Sequence, residues 1–196
     1  MLERRAACNL TIGVEKRLTS GRTAIRSVER IRHMTLDQLT RQQLSELLKT
    51  GNAHLSFEDA VADFPIDKIN HQPANVPYSF WHLVEHLRIT QRDILDYLND
   101  ANYEEMHWPK DYWPAPDATT DQSGWDASIA AFIADRDALV AIIENPATDL
   151  TTGVPSNPDH SILREMLIVA DHNAYHIGEL AILRQVDSAW GSSHQE

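Results

Sequence analysis

His172 and His176 stand four residues apart in the stretch ADHNAYHIGEL. On a helix, at about 100° per residue, that spacing puts both imidazoles on one face, one turn apart, where both can reach a single ion. Glu179 continues the same face three residues after His176, and Glu165 precedes His172 by seven. A stripe of Glu, His, His and Glu is costly to bury unless something satisfies it, and a divalent metal would. Two half-solvated histidines on a surface helix are the plainer reading of so short a pattern. The flanking residues are mostly apolar, however, which favours ligation. The HExxH arrangement of metalloproteases does not apply, because Asn173 stands where its glutamate would be.

The helix that must position these residues runs from Ser161 to Val186. Ser161 is a natural N-cap, Glu165 places negative charge near the positive end of the dipole, and no proline interrupts the run. A second long helix is expected over Ser79–Leu98, with Phe80, Leu83, Val84, Leu87, Ile94 and Leu98 as its apolar stripe. His86 lies at the edge of that stripe, in line with Thr90 and Tyr97. His82 points further toward solvent. His86 with His172 and His176 gives three nitrogen ligands, and three protein ligands with an open position characterise catalytic metal sites.

Elsewhere the texture is also helical. Thr35 should cap a helix that Gly51 stops, and Ser56 should cap a shorter one ended by Pro65, with His54 between them. Trp125–Ile143 reads as a third long helix. The connection Asn99–Thr120 carries Trp108, Tyr112 and Trp113; its length marks it as functional or mobile, and its aromatic content as a lid that packs down. Residues 65–77 and 145–158 read as loops, and no segment reads as a strand. Four helical segments with long connections indicate an all-α bundle with a short extra helix, an architecture that commonly seats metal between facing helices.

The 196 residues suffice for one domain, and no stretch of about 18 apolar residues exists to span a membrane. A net charge of −12 argues against binding nucleic acid through phosphate contacts. The single cysteine, Cys8, excludes an internal disulfide or a cysteine zinc site, and a reducing, cytoplasmic setting is expected. Of the 17 basic residues, 8 precede Met34, opposed there only by Glu3, Glu15 and Glu29. Residues 1–33 are therefore expected to be a basic extension outside the core fold, with 34–190 the helical domain and 191–196 a tail. A basic helix docked on an acidic bundle is the alternative.

Together PYSFWHLVEHLRITQRDIL, DYWP and LREMLIVADHNAYHIGELAILR resemble the DinB-like superfamily, in its broad bacterial branch, over roughly Met34 to Trp190. The resemblance implies a four-helix bundle with a three-histidine metal site: His86 from the second long helix, His172 and His176 from the last. It further implies zinc or nickel as the ion, frequent dimers, and enzymes that use low-molecular-weight thiols such as bacillithiol and mycothiol. It gives DYWP (Asp111 to Pro114) no role.

Two function classes follow. One is a metal-dependent enzyme acting on a small molecule, a thiol S-transferase or a hydrolase, with Glu179, Glu165 or His54 orienting ligands or moving protons. The alternative is a non-catalytic metal-binding stress or ligand-binding protein. Neither involves nucleic acid or membrane.

Overall fold

The computed structural model describes residues 34–190; the basic extension and the tail expected from the sequence lie outside them. The chain divides after Thr40 into two units. In the first, Thr35 forms a reciprocal cap: Gln38 N donates to Thr35 Oγ1 (3.1 Å) and Thr35 N donates to Gln38 Oε1 (2.9 Å). Helix α1 (Leu36–Thr50) begins there and continues into the second unit. Gly51 ends it at φ +68°, a left-handed conformation in which glycine carries no steric penalty.

The second unit continues with α2 (Phe57–Val61), a 3-10 turn (Ile66–Lys68), α3 (Phe80–Asn99), α4 (Gln122–Glu144), a small hairpin and α5 (Ile162–Val186). Ser56, Ser79, Asp121 and Ser161 cap α2, α3, α4 and α5, each accepting from a backbone N–H of the first turn. The architecture is an all-α bundle, and α3 packs against both α4 and α5.

Two apolar clusters form the core. Leu44 and Leu48 of α1 join Ile94, Leu98, Leu139, Ile143, Met166 and Val169 in one. Phe57, Phe80, Leu83, Leu87, Phe132, Ile177 and Leu180 form the other. A polar rung separates them: Asn173 Nδ2 donates to Gln91 Oε1 (2.9 Å), and Gln91 Nε2 donates to the Phe132 carbonyl (2.7 Å). Gln91 is fully buried, so this bridge across α3, α4 and α5 fixes their relative registry.

Two expectations are corrected here. His82 does not face solvent; it is buried, and its ring folds back over the first turn of α3. Its Nδ1 accepts from Ser79 N (3.1 Å) in the position glutamate takes in a capping box, and its Nε2–H donates to the Ala115 carbonyl (3.1 Å). Burial lowers its pKa, against the opposing pull of the Ala115 and Ala118 carbonyls. Second, a strand pair does form, β1 (Gly153–Val154) with β2 (Asn157–Ser161), antiparallel. The segment NPDHS has no β-branched or aromatic residue to announce it. Its closeness depends on Gly153, where a Cβ would lie 2.2 Å from the Pro158 carbonyl oxygen.

The carboxyl end of α5 is held by Arg184, a fully buried cation. Its guanidinium donates to the carbonyls of Ala60 (2.6 Å), Ala62 (3.0 Å) and Ala189 (3.0 Å), and sits between the rings of Phe64 and Trp190. Burial lowers its pKa to about 10, which leaves it charged at pH 7. Among the described residues no helix is long and apolar enough to cross a membrane.

Candidate metal centre

Helices α3 and α5 face each other across His86 and His172, whose Nε2 atoms lie 3.1 Å apart. One turn further along α5, His176 completes the group, and one nitrogen from each imidazole lies within 4.8 Å of the other two. His86 is buried, while the other two are partly covered. Their mutual approach follows from the sequence: His86 lies at the edge of the apolar stripe of α3, and the i, i+4 spacing presents the other two rings to it.

Backbone and side-chain partners aim the rings. His86 Nδ1 lies 2.8 Å from the Tyr112 carbonyl, which can only accept, so this nitrogen carries the proton and Nε2 keeps its lone pair. Thr90 Oγ1 approaches the same Nδ1 at 3.4 Å. His176 Nδ1 donates to Glu179 Oε2 (2.7 Å), which leaves Nε2 as its nitrogen for an ion. The other carboxylate oxygen of Glu179 accepts from the Tyr78 hydroxyl. Burial opposes ionisation of Glu179, but the hydrogen bonds from His176 and Tyr78 prevail and hold its pKa below the ordinary value. Burial, then the bond to Glu179, pushes the Tyr78 pKa up, so the phenol stays protonated and donates.

An aromatic wall covers the group. Trp113 lies flat against His86, and Tyr78 stacks on Trp113 with centroids 4.8 Å apart. The long connection between α3 and α4 therefore does pack down on the site, and DYWP supplies both the Tyr112 carbonyl and the Trp113 ring. Trp108, on the same connection, stands 6.4 Å from the His86 ring and is 70% exposed.

The two most enclosed imidazoles are held in their neutral form. Burial lowers the His86 pKa to about 4, against the opposing Tyr112 carbonyl. Burial, then the neighbouring imidazoles His176 and His86, lowers that of His172 to about 3. Both are neutral at pH 7, the form that ligates metal. Two nitrogens bound at about 2.0–2.1 Å to a tetrahedral ion lie roughly 3.3 Å apart, close to the observed His86–His172 separation. The residues thus fit a divalent ion, with three protein nitrogens and room in the coordination sphere for one exchangeable ligand.

Of the other sequence candidates, Glu179 is brought to the group through His176. Glu165 is not: it is buried two turns away on α5, paired with Arg164 and 3.8 Å from His160. His54 lies in the loop after α1, where its Nδ1 pairs with the Leu55 carbonyl (2.7 Å). Tyr78 escaped the sequence reading, whereas Tyr112 and Trp113 were legible only as aromatics of the connection expected to pack down, without their contacts to His86.

The sequence matches the DinB superfamily over residues 26–180, a span that contains all three histidines and Glu179. No curated protein and no solved structure matches the chain. With a helical bundle, a three-histidine group at the facing surfaces of α3 and α5, and a match over most of its length, the chain belongs to the DinB superfamily.

Proposed function

We propose that His86, His172 and His176 hold one divalent ion, zinc or nickel, and that the protein is a metal-dependent enzyme acting on a small molecule. The observation that carries this is the preparation of the rings: Tyr112 and Glu179 each hold a protonated Nδ1 and turn the opposite nitrogen inward. Imidazole suits zinc and nickel alike. Bound there, such an ion supplies Lewis acidity, which makes a nucleophile of water or a thiol near neutral pH.

The chain's own residues perform the remaining tasks. Glu179 orients His176 and, through its bond from Tyr78, is itself held in place. Trp113 excludes water from one face of His86. Transfer to or from a low-molecular-weight thiol and hydrolysis are the two reaction classes this site supports, and the superfamily resemblance favours the first.

Incubation of the zinc-loaded and stripped protein with cellular thiols and an electrophile, followed by product analysis, tests the reading. Turnover that requires both metal and thiol is expected for the transferase, and turnover with water alone for the hydrolase. Absence of metal-dependent turnover across the panel would favour the non-catalytic alternative.

A further inference from the structure

Two of the three imidazoles have an acceptor that holds Nδ1–H, the Tyr112 carbonyl for His86 and Glu179 for His176. The third is different: His172 Nδ1 is buried and completes no hydrogen bond. Next to it in the chain, Asn173 Oδ1 is in the same condition, on a side chain only 6% exposed. Two buried polar atoms left without partners on adjacent residues are costly, unless one becomes the donor for the other.

Which atom Asn173 leaves over is decided two helices away. The Phe132 carbonyl on α4 can only accept, so the Gln91 atom 2.7 Å from it is the amide Nε2. That leaves Gln91 Oε1 toward α5, and the Asn173 atom 2.9 Å from it must be Nδ2. Asn173 Oδ1 is therefore the remaining atom, an acceptor whose place is set by two amides in series. Gln91 is fully buried, and a reversed order would put oxygen against oxygen at both contacts.

The Asn173 side chain is near enough to act on the His172 ring. Burial, then the imidazoles His176 and His86, lowers the His172 pKa, while hydrogen bonding by Asn173 opposes them. A pull of that sign comes from an acceptor. A neutral imidazole has one N–H and one lone pair. With the proton on Nε2, His172 Nδ1 and Asn173 Oδ1 would be two buried acceptors without a donor. With the Nε2 lone pair given to an ion, the proton sits on Nδ1 and satisfies both.

We propose that Asn173 is a positioning residue of the metal centre: its Oδ1, ordered through Gln91 by the Phe132 carbonyl, accepts from His172 Nδ1–H and directs His172 Nε2 to the ion. The proposal rests on the three-histidine reading above and deepens it. Each ring then has its own acceptor: a backbone carbonyl, a side-chain amide and a carboxylate. Imidazoles that ligate metal almost always donate their second N–H to a group of this kind. The polar rung between the two apolar clusters thus serves the site as well as the registry of the helices.

The test is long-range proton–nitrogen NMR correlation of the histidine rings in the zinc-loaded full chain, beside zinc affinity by chelator competition. In the unaltered protein His172 should carry its proton on Nδ1 and bind zinc through Nε2. Binding through Nδ1 would overturn the proposal without any variant. Asn173→Leu, close in size but unable to accept, should reduce zinc affinity about 10–100-fold. It should also move the ring nitrogen resonances of His172 while those of His86 and His176 stay in place. Asn173→Asp keeps an oxygen for His172 but sets its other oxygen against Gln91 Oε1. It should therefore unfold at lower urea than the unaltered protein, yet hold zinc more tightly than Asn173→Leu. If Asn173 served packing alone, zinc affinity would fall in step with stability across both variants, and that result would overturn the proposal. Undiminished affinity in Asn173→Leu would also remove Asn173 from the centre, leaving the three histidines as ligands. Failure of the metal reading looks different: the unaltered protein would bind no divalent ion, and the proposal would fall with it.

Discussion

Trp113 lies on His86 with ring centroids 3.9 Å apart and planes 5° from parallel. The tryptophan belongs to the connection between α3 and α4, the histidine to α3, so the contact fastens a loop to the centre of the site. It also keeps one face of the imidazole dry. Trp113→Ala should let water reach His86 and free the ring to rotate. Zinc affinity, read by chelator competition, should fall about tenfold, the scale of losing a group that orients a ligand. Unchanged affinity would show that the Tyr112 carbonyl alone suffices.

Glu179 and Tyr78 orient His176 by a chain of hydrogen bonds. Glu179→Gln keeps the shape and can still accept, so the ion should be retained with affinity reduced about 10–100-fold. Tyr78→Phe, which removes only the outer link, should cost less. If Glu179→Gln empties the site as completely as His176→Ala, the carboxylate is a ligand and the three-histidine assignment fails.

Stability of the stripped protein should depend on pH through the buried imidazoles. Their folded pKa values, about 4 for His86 and about 3 for His172, lie below the ordinary value of 6.5. Groups with depressed pKa values stabilise the fold fully above the unfolded value. That stability is lost as pH falls from 6.5 through 4 toward 3, by at most about 1.4 kcal/mol per pH unit for each group. Urea unfolding in chelator at a series of pH values should show this slope, and His172→Gln should make it shallower. Equal slopes in the two proteins would contradict the burial argument.

Arg184 makes the opposite kind of prediction, with no bearing on metal. Arg184→Met would leave the carbonyls of Ala60, Ala62 and Ala189 without their donor, and a destabilisation of about 3 kcal/mol or more is expected. Denaturant unfolding measures it. Zinc content of the folded fraction should be unchanged.

Much of this was legible in the sequence, for local reasons. Ser56 and Ser161 cap helices because a hydroxyl beside three free N–H groups has few better uses, and Gly51 ends α1 because it tolerates positive φ. His86, His172 and His176 were legible because helical period converts spacing into a shared face. What failed depended on distant chain. The orientation of His82 is fixed by the Ala115 carbonyl, 33 residues away, and Tyr78 reaches Glu179 across 101. The hairpin escaped because backbone proximity at Gly153, and no side-chain pattern, brings it together. Glu165 shares the helical face of His172, but two turns separate them, and facing does not ensure contact.

Metal analysis of single-alanine variants bears most directly on the central claim. The unaltered protein should carry about one divalent ion per chain, and His86→Ala, His172→Ala and His176→Ala should each lose most of it. His82→Ala should keep the ion despite losing its cap on α3. Retention of a full complement of metal by the His172→Ala, His176→Ala double variant, or loss of metal from His82→Ala but not from His86→Ala, would contradict the site.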